Sequence, residues 1–189
     1  MISRNALLGA LLLLAACGHS PPTQFLTLDP TPGAGVDYRG PSIRVPAVRI
    51  PPTLDRDEFV QKASPGEIKV DDFVRWSAPL GMLARNTLIL DLSSRLPAGK
   101  VAPPDAPAQS TGRRIDVSIL SLEAANGEAS LQAAYEFAAD DGQAPATYRQ
   151  WVTLQTPNGG RTALEAARAF SALLGQLADR ICLDLASRP

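Results

Sequence analysis

Asn126-Gly127 stands between two runs of alternating apolar and polar residues, and this arrangement constrains the chain more than any other feature. Before it, Arg113 to Leu122 alternates through Ile115, Val117 and Ile119; after it, Leu131, Ala133, Tyr135 and Phe137 resume the pattern. A period of two puts every second side chain on one face of a sheet, and Asn-Gly supplies the positive-φ backbone that a two-residue hairpin turn requires. A third run, Thr147 to Thr156, follows the turn residues Asp140-Asp141-Gly142 and carries Tyr148, Val152 and Leu154 on one side and Trp151 on the other. The pattern predicts a three-stranded antiparallel meander.

A sheet with one apolar face needs a cover. Thr162 and Glu165 have the spacing of a capping box, and behind them Phe170, Leu173, Leu174, Leu177, Ile181 and Leu185 mark one apolar face of a long C-terminal helix. A first helix is expected from Leu80 to Leu96, with Leu83, Leu88, Leu90 and Leu92 among its apolar positions, Ser77 as its cap and Pro79 in its first turn. Phe25, Leu26 and Leu28 suggest a first strand. Ser42 to Ile50 alternates with a change of phase near Pro46, which cannot donate to a ladder, so it reads as an edge strand or a bulged one. Glu58 to Lys62 and Glu67 to Val70, around Ser64-Pro65-Gly66, read as a hairpin, and Pro97 to Gly112, with four prolines, as a long loop. The expected fold class is α+β: a mostly antiparallel β-sheet packed against two main α-helices in a single domain over 25–189.

Upstream of that domain, Met1-Ile2-Ser3-Arg4-Asn5 is followed by an apolar run from Ala6 to Ala16, too short for a bilayer span, which needs about 20 apolar residues. Leu14-Ala15-Ala16-Cys17 resembles the lipobox of bacterial lipoproteins. The resemblance implies that residues 1–16 are a cleaved signal peptide and that Cys17 becomes a lipidated N-terminus. Residues 17–24 then form a tether whose proline-bearing part, Gly18 to Thr23, reaches ~20 Å when extended. Acyl chains would anchor the protein, each buried methylene contributing ~0.8 kcal/mol. Gly18 in place of aspartate favours, by the same resemblance, the periplasmic face of the outer membrane.

The 18 basic and 19 acidic residues nearly balance, which argues against nucleic acid as a partner. With Cys17 acylated, Cys182 has no disulfide partner, and it sits among Ala178, Ile181 and Leu185, where a free thiol acts as a small hydrophobe. The single histidine, His19, falls in the tether. Asp55, Asp57 and Glu58, the pair Asp71-Asp72 and the pair Asp140-Asp141 lack the ligand spacing of a cation loop and read as turns or solvated faces. Asn158-Gly159-Gly160-Arg161-Thr162 lacks the Gly-Lys-Ser/Thr ending of a phosphate loop and reads as a strand-to-helix turn. The sequence therefore leads us to expect no catalytic residue, no cofactor and no metal.

Three ordered pieces resemble the ABC-type transport auxiliary lipoprotein family, whose best-known member type is PqiC of MCE-domain lipid transport systems. An Ile/Val-rich strand runs into Pro51-Pro52-Thr53-Leu54-Asp55-Arg56; Phe73-Val74-Arg75-Trp76-Ser77-Ala78-Pro79-Leu80 enters the first helix; and Phe170-Ser171-Ala172-Leu173 with Leu177-Ala178 lies in the last. Many relatives carry a Tyr pair where this chain has Gln24-Phe25-Leu26. The resemblance implies a non-enzymatic, lipid-anchored periplasmic subunit that works with an ABC permease, its ATPase and an MCE protein. It marks Leu54, Asp55, Arg56, Arg75 and Trp76 as candidates for the partner interface. For Trp76 a place in the core competes with that role, and for Asp55 and Arg56 a local turn salt bridge does. Homo-oligomer formation stays open, as do two other functions: a free-standing lipid- or ligand-binding lipoprotein with a cavity between sheet and last helix, and a lipid-anchored enzyme.

Overall fold

The meander forms as the alternation requires. In the computed structural model, which describes residues 21–64, 66–125, 127–142 and 145–188, three long strands occupy Arg113–Ala125, Gly127–Ala139 and Tyr148–Gly160. Numbered with the shorter strands that precede them, they are β6, β7 and β8. Ala125 pairs with Glu128 across the turn, and Gly127 sits at φ +83°, the left-handed backbone that the second turn residue needs. Ile115, Val117, Ile119, Leu131, Tyr135 and Phe137 all turn to the buried face.

The helix α2 (Ala163–Ala186) covers that face. Thr162 Oγ1 accepts from the Glu165 amide, and Glu165 Oε2 accepts from the Thr162 amide, so the capping box is complete. Phe170, Leu173, Leu174, Leu177, Ile181 and Leu185 are buried. Each such side chain contributes about 1.5–3 kcal/mol relative to exposure. The helix α1 (Leu80–Arg95) packs beside α2, but with a different stripe from the one its leucines suggest. Leu80, Ala84, Leu88 and Leu92 face inward together with Thr87, Asp91 and Arg95, whereas Leu90 is 52% exposed. Ser77 does not cap this helix. Pro79 occupies the cap position, and its carbonyl accepts from the Met82 and Leu83 amides. The helix begins at Leu80, so Ser77 lies two residues before the cap position, and its amide donates to the Leu26 carbonyl at the end of the first strand.

The remaining strands are β1 (Gln24–Leu26), β2 (Ile43–Arg44), β3 (Val48–Arg49), β4 (Glu58–Ser64) and β5 (Glu67–Trp76). The expected hairpin is β4–β5, longer than its sequence pattern, with two register shifts. The break at Pro46 divides the predicted edge strand into β2 and β3, and both add to the outer edge of β6. These additions are parallel, as is β1 on β5, so the sheets are mixed: one in the order β1-β5-β4, the other β2-β6-β7-β8 with β3 also on β6. The proline-rich segment 97–112 holds one bridge, Val101 to Ile43. One apolar core joins both sheets and both helices.

Asp140, read as part of a solvated turn, is 3% exposed. Arg44 Nε donates to its Oδ1 at 2.8 Å and the Gln109 amide to its Oδ2 at 2.9 Å. Burial opposes its ionisation, yet these bonds hold its carboxyl below the ordinary carboxylate range.

Candidate functional site

The Pro51-Pro52 stop forces a turn in which the Leu54 and Asp55 amides donate to the Pro51 carbonyl at 2.9 and 3.1 Å. Asp55 and Arg56 emerge exposed from that turn. Arg56 does not close on its neighbour Asp55; its Nε donates to Glu58 Oε2 at 2.9 Å. Glu58 is the β4 residue opposite Arg75 of β5, so it lies between two guanidinium groups. Its carboxyl is held below the usual range, first by the Arg56 hydrogen bond and further by the charges of Arg56 and Arg75.

Trp76 belongs to the core. It is 5% exposed, its ring centroid lies 5.6 Å from that of Phe59 on β4 and 6.4 Å from that of Phe170 on α2, and its amide donates to the Asp57 carbonyl. It offers a partner no surface; it fixes the strand end that carries Arg75. Beside Arg75 on the outer face of the three-stranded sheet stands Phe25, its register partner on β1, 66% exposed.

Leu54 turns away from this charged group and lines an apolar cleft of about 340 Å³. Val60 and Ile68 of the β4–β5 hairpin form one wall, and Leu120 and Leu122 of β6 the other. Leu120 keeps the outward phase of Asp116 and Ser118 and is 44% exposed, and the register shift between Ile119 and Ser121 changes the phase beyond it, so that Leu122 turns inward at 3%. Lys62 and Glu123 form an ion pair of 3.0 Å between its two walls. The structure therefore separates the five expected interface residues: Leu54 in the cleft, Asp55 in solvent, Arg56 and Arg75 around Glu58, and Trp76 beneath them. Sequence reasoning missed Ile68, Val60 and Leu120. The signal for the last was present, since Ile119-Leu120-Ser121-Leu122 breaks the alternation by one residue.

Cys17 and His19 lie outside the described residues. Cys182 is 1% exposed on α2, and burial pushes its thiol up to about 12, so it is a packed hydrophobe and a poor nucleophile. Asp184 on the same helix accepts from the hydroxyls of Tyr135 and Tyr148, and the Arg188 guanidinium stacks 4.1 Å over the Tyr148 ring. Burial, followed by the Asp184 bond, raises the Tyr135 hydroxyl far above its usual range, so this cluster ties α2 to the sheet as a neutral-phenol network. Among the described residues, no three His, Cys, Asp or Glu side chains come together as a cation cage, and no helix is long and apolar enough to cross a membrane. Between sheet and α2, the place a lipid cavity would need, Leu131, Tyr135, Leu173, Leu177 and Ile181 fill the space, each 0% exposed.

This α+β arrangement, with two mixed sheets and a long capped helix, recurs in solved structures. One, of an uncharacterized protein, superposes with a TM-score of 0.73 at 18% identity over 87% of this chain and 99% of its own. Another, from Xanthomonas campestris and assigned to the DUF330 family, does so at 0.65 and 16% over 86% and 94%. A PelC variant from Paraburkholderia phytofirmans, solved as a dodecamer, reaches 0.42 at 14% over 86% and 98%, a likeness too low to bear on assembly. No curated protein matches the chain in sequence. The family profile of the ABC-type transport auxiliary lipoprotein component matches residues 26–182, and the chain belongs to that family.

Proposed function

We propose that this chain is a non-enzymatic, lipid-anchored subunit of an ABC/MCE-type lipid transport system, held through Cys17 to the periplasmic face of the outer membrane. The observation that carries this reading is the family match across nearly the whole domain, residues 26–182. The surface supports it: an apolar cleft under Leu54 and a charged group of Arg56, Glu58 and Arg75 lie on adjoining elements, as a docking module requires. The sealed thiol of Cys182 also suits an adaptor better than an enzyme.

The test is affinity purification of the full chain from crosslinked native membranes. An MCE-domain protein together with an ABC permease and its ATPase is expected in the eluate, and their absence rejects the transport role. Incorporation of labelled palmitate into the chain, lost in Cys17→Ser, tests the anchor separately.

A further inference from the structure

Among the described strands, residues 150–156 of β8 form a longer unguarded edge than β1, which is three residues long, or β2, β3 and β4. Natural sheets guard their edges with charges, prolines, bulges or very short strands. Here β2 and β3 are two residues each, flank Pro46 and carry Arg44 and Arg49. β4 carries Glu58 and Lys62 and two register shifts. β8 is 13 residues long and pairs only with β7 among the described strands. From Gln150 to Thr156 it has no charge and no proline, and its pairing runs unbroken from Tyr148 to Thr156.

A groove of about 460 Å³ follows that edge. Its floor is four consecutive strand residues, Trp151 to Leu154, which places the unpaired backbone of the strand along it; its wall is one face of α2, formed by Gln176, Asp179, Arg180 and Leu183. Trp151 is 64% exposed and Leu183 58%. Asp179 is engaged by Arg95 Nε, whereas Arg180 forms no ion pair among the described residues and lies exposed at the groove.

We propose that this groove is a strand-addition site for an extended acidic and apolar segment of another polypeptide. The segment's backbone pairs with the outward-facing N–H and C=O groups of alternate residues in 150–156, its alternate apolar side chains lie beside Val152 and Leu154 against Leu183, and an acidic side chain on that same face meets Arg180. A second copy of this chain suits the groove less well. Its own 150–156 stretch has no carboxylate to offer Arg180, and it brings a second α2 against the first. The site is independent of the transport reading.

The probe is a synthetic heptapeptide, Thr-Val-Thr-Leu-Thr-Asp-Thr, whose aspartate shares the face of its two apolar residues, added at millimolar concentration to the full chain purified in detergent, with amide hydrogen exchange as the readout. Exchange at the alternate amides of 150–156 that face the free edge is expected to slow, the same peptide N-methylated at alternate amides is expected to give no protection, and Arg180→Glu is expected to weaken binding about threefold. Three results overturn the proposal: no protection at these amides, equal protection by the N-methylated peptide, or protection without peptide that rises with protein concentration as a dimer forms.

Discussion

A methyl group on Gly33 would stand 2.2 Å from Arg95 Nε, so the backbone of the β1–β2 connection lies directly against the guanidinium. Arg95 is 2% exposed and is held from every side: Asp179 accepts from Nε, and the carbonyls of Thr31, Asp91 and Gly175 accept from its terminal nitrogens. One side chain thereby joins the connection, α1 and α2. Gly33→Ala is expected to destabilise by about 1–3 kcal/mol through overpacking, and Arg95→Ala by about 3–5 kcal/mol because it strands Asp91. Urea unfolding monitored by circular dichroism measures both; a loss below 0.5 kcal/mol in Arg95→Ala, roughly the scatter of surface changes, rejects the keystone role.

Asp91 gives this cluster a pH signature. It is 0% exposed, its Oδ1 accepts from the Thr31 amide, and its Oδ2 has no hydrogen-bond partner among the described residues. Burial raises its carboxyl above the ordinary 3.8, against the pull of Thr31 and Arg95. A raised folded value means that this group's contribution is complete below 3.8 and is lost as pH climbs through the folded value. The stability of the native chain minus that of Asp91→Asn should therefore fall with rising pH above about 3.8 and then level off. A pH-independent difference in chemical denaturation rules this out.

For Cys182 the expectation is kinetic. A thiol moved from 9.0 to about 12 has its thiolate fraction at pH 8 reduced by about a thousandfold. Disulfide-exchange labelling of the folded chain should therefore run at least that much slower than in denaturant, and comparable rates place the thiol at the surface.

Thr162→Ala removes the oxygen that receives the Glu165 amide. The expected cost is ~1 kcal/mol, read from thermal or urea unfolding, with Thr162→Ser restoring most of it. An unchanged midpoint would show that α2 is held by its buried face alone.

Features encoded within a few residues could be read from the chain. Asn126-Gly127 with its flanking alternation defines the β6–β7 turn, and Thr162 with Glu165 defines the start of α2. Parallel pairing could not be read, because the partners Leu26 and Trp76, or Val48 and Val117, share no local period. The same holds for the buried polar residues. Asp140 owes its place to Arg44, 96 residues away, and the inward face of α1 contains Asp91 and Arg95 because Thr31, Gly175 and Asp179 are there to meet them. At the candidate site, Leu54 could be read as a surface element, but the wall opposite it depends on a one-residue shift in β6 whose consequence appears only when the β4–β5 hairpin is in place.

The parallel pairing of β1 with the end of β5 also sets the path of mechanical load. Tension on the N-terminus enters the domain through Gln24 and runs along the axis of β1, so the ladder to Val74, Arg75 and Trp76 is strained in shear rather than peeled apart bond by bond. Shear shares force across all bonds at once, but this lap joint is three residues long. The first yield point under a pull is thus set by β1 and not by the helix-covered meander, whose strands are 13 residues each.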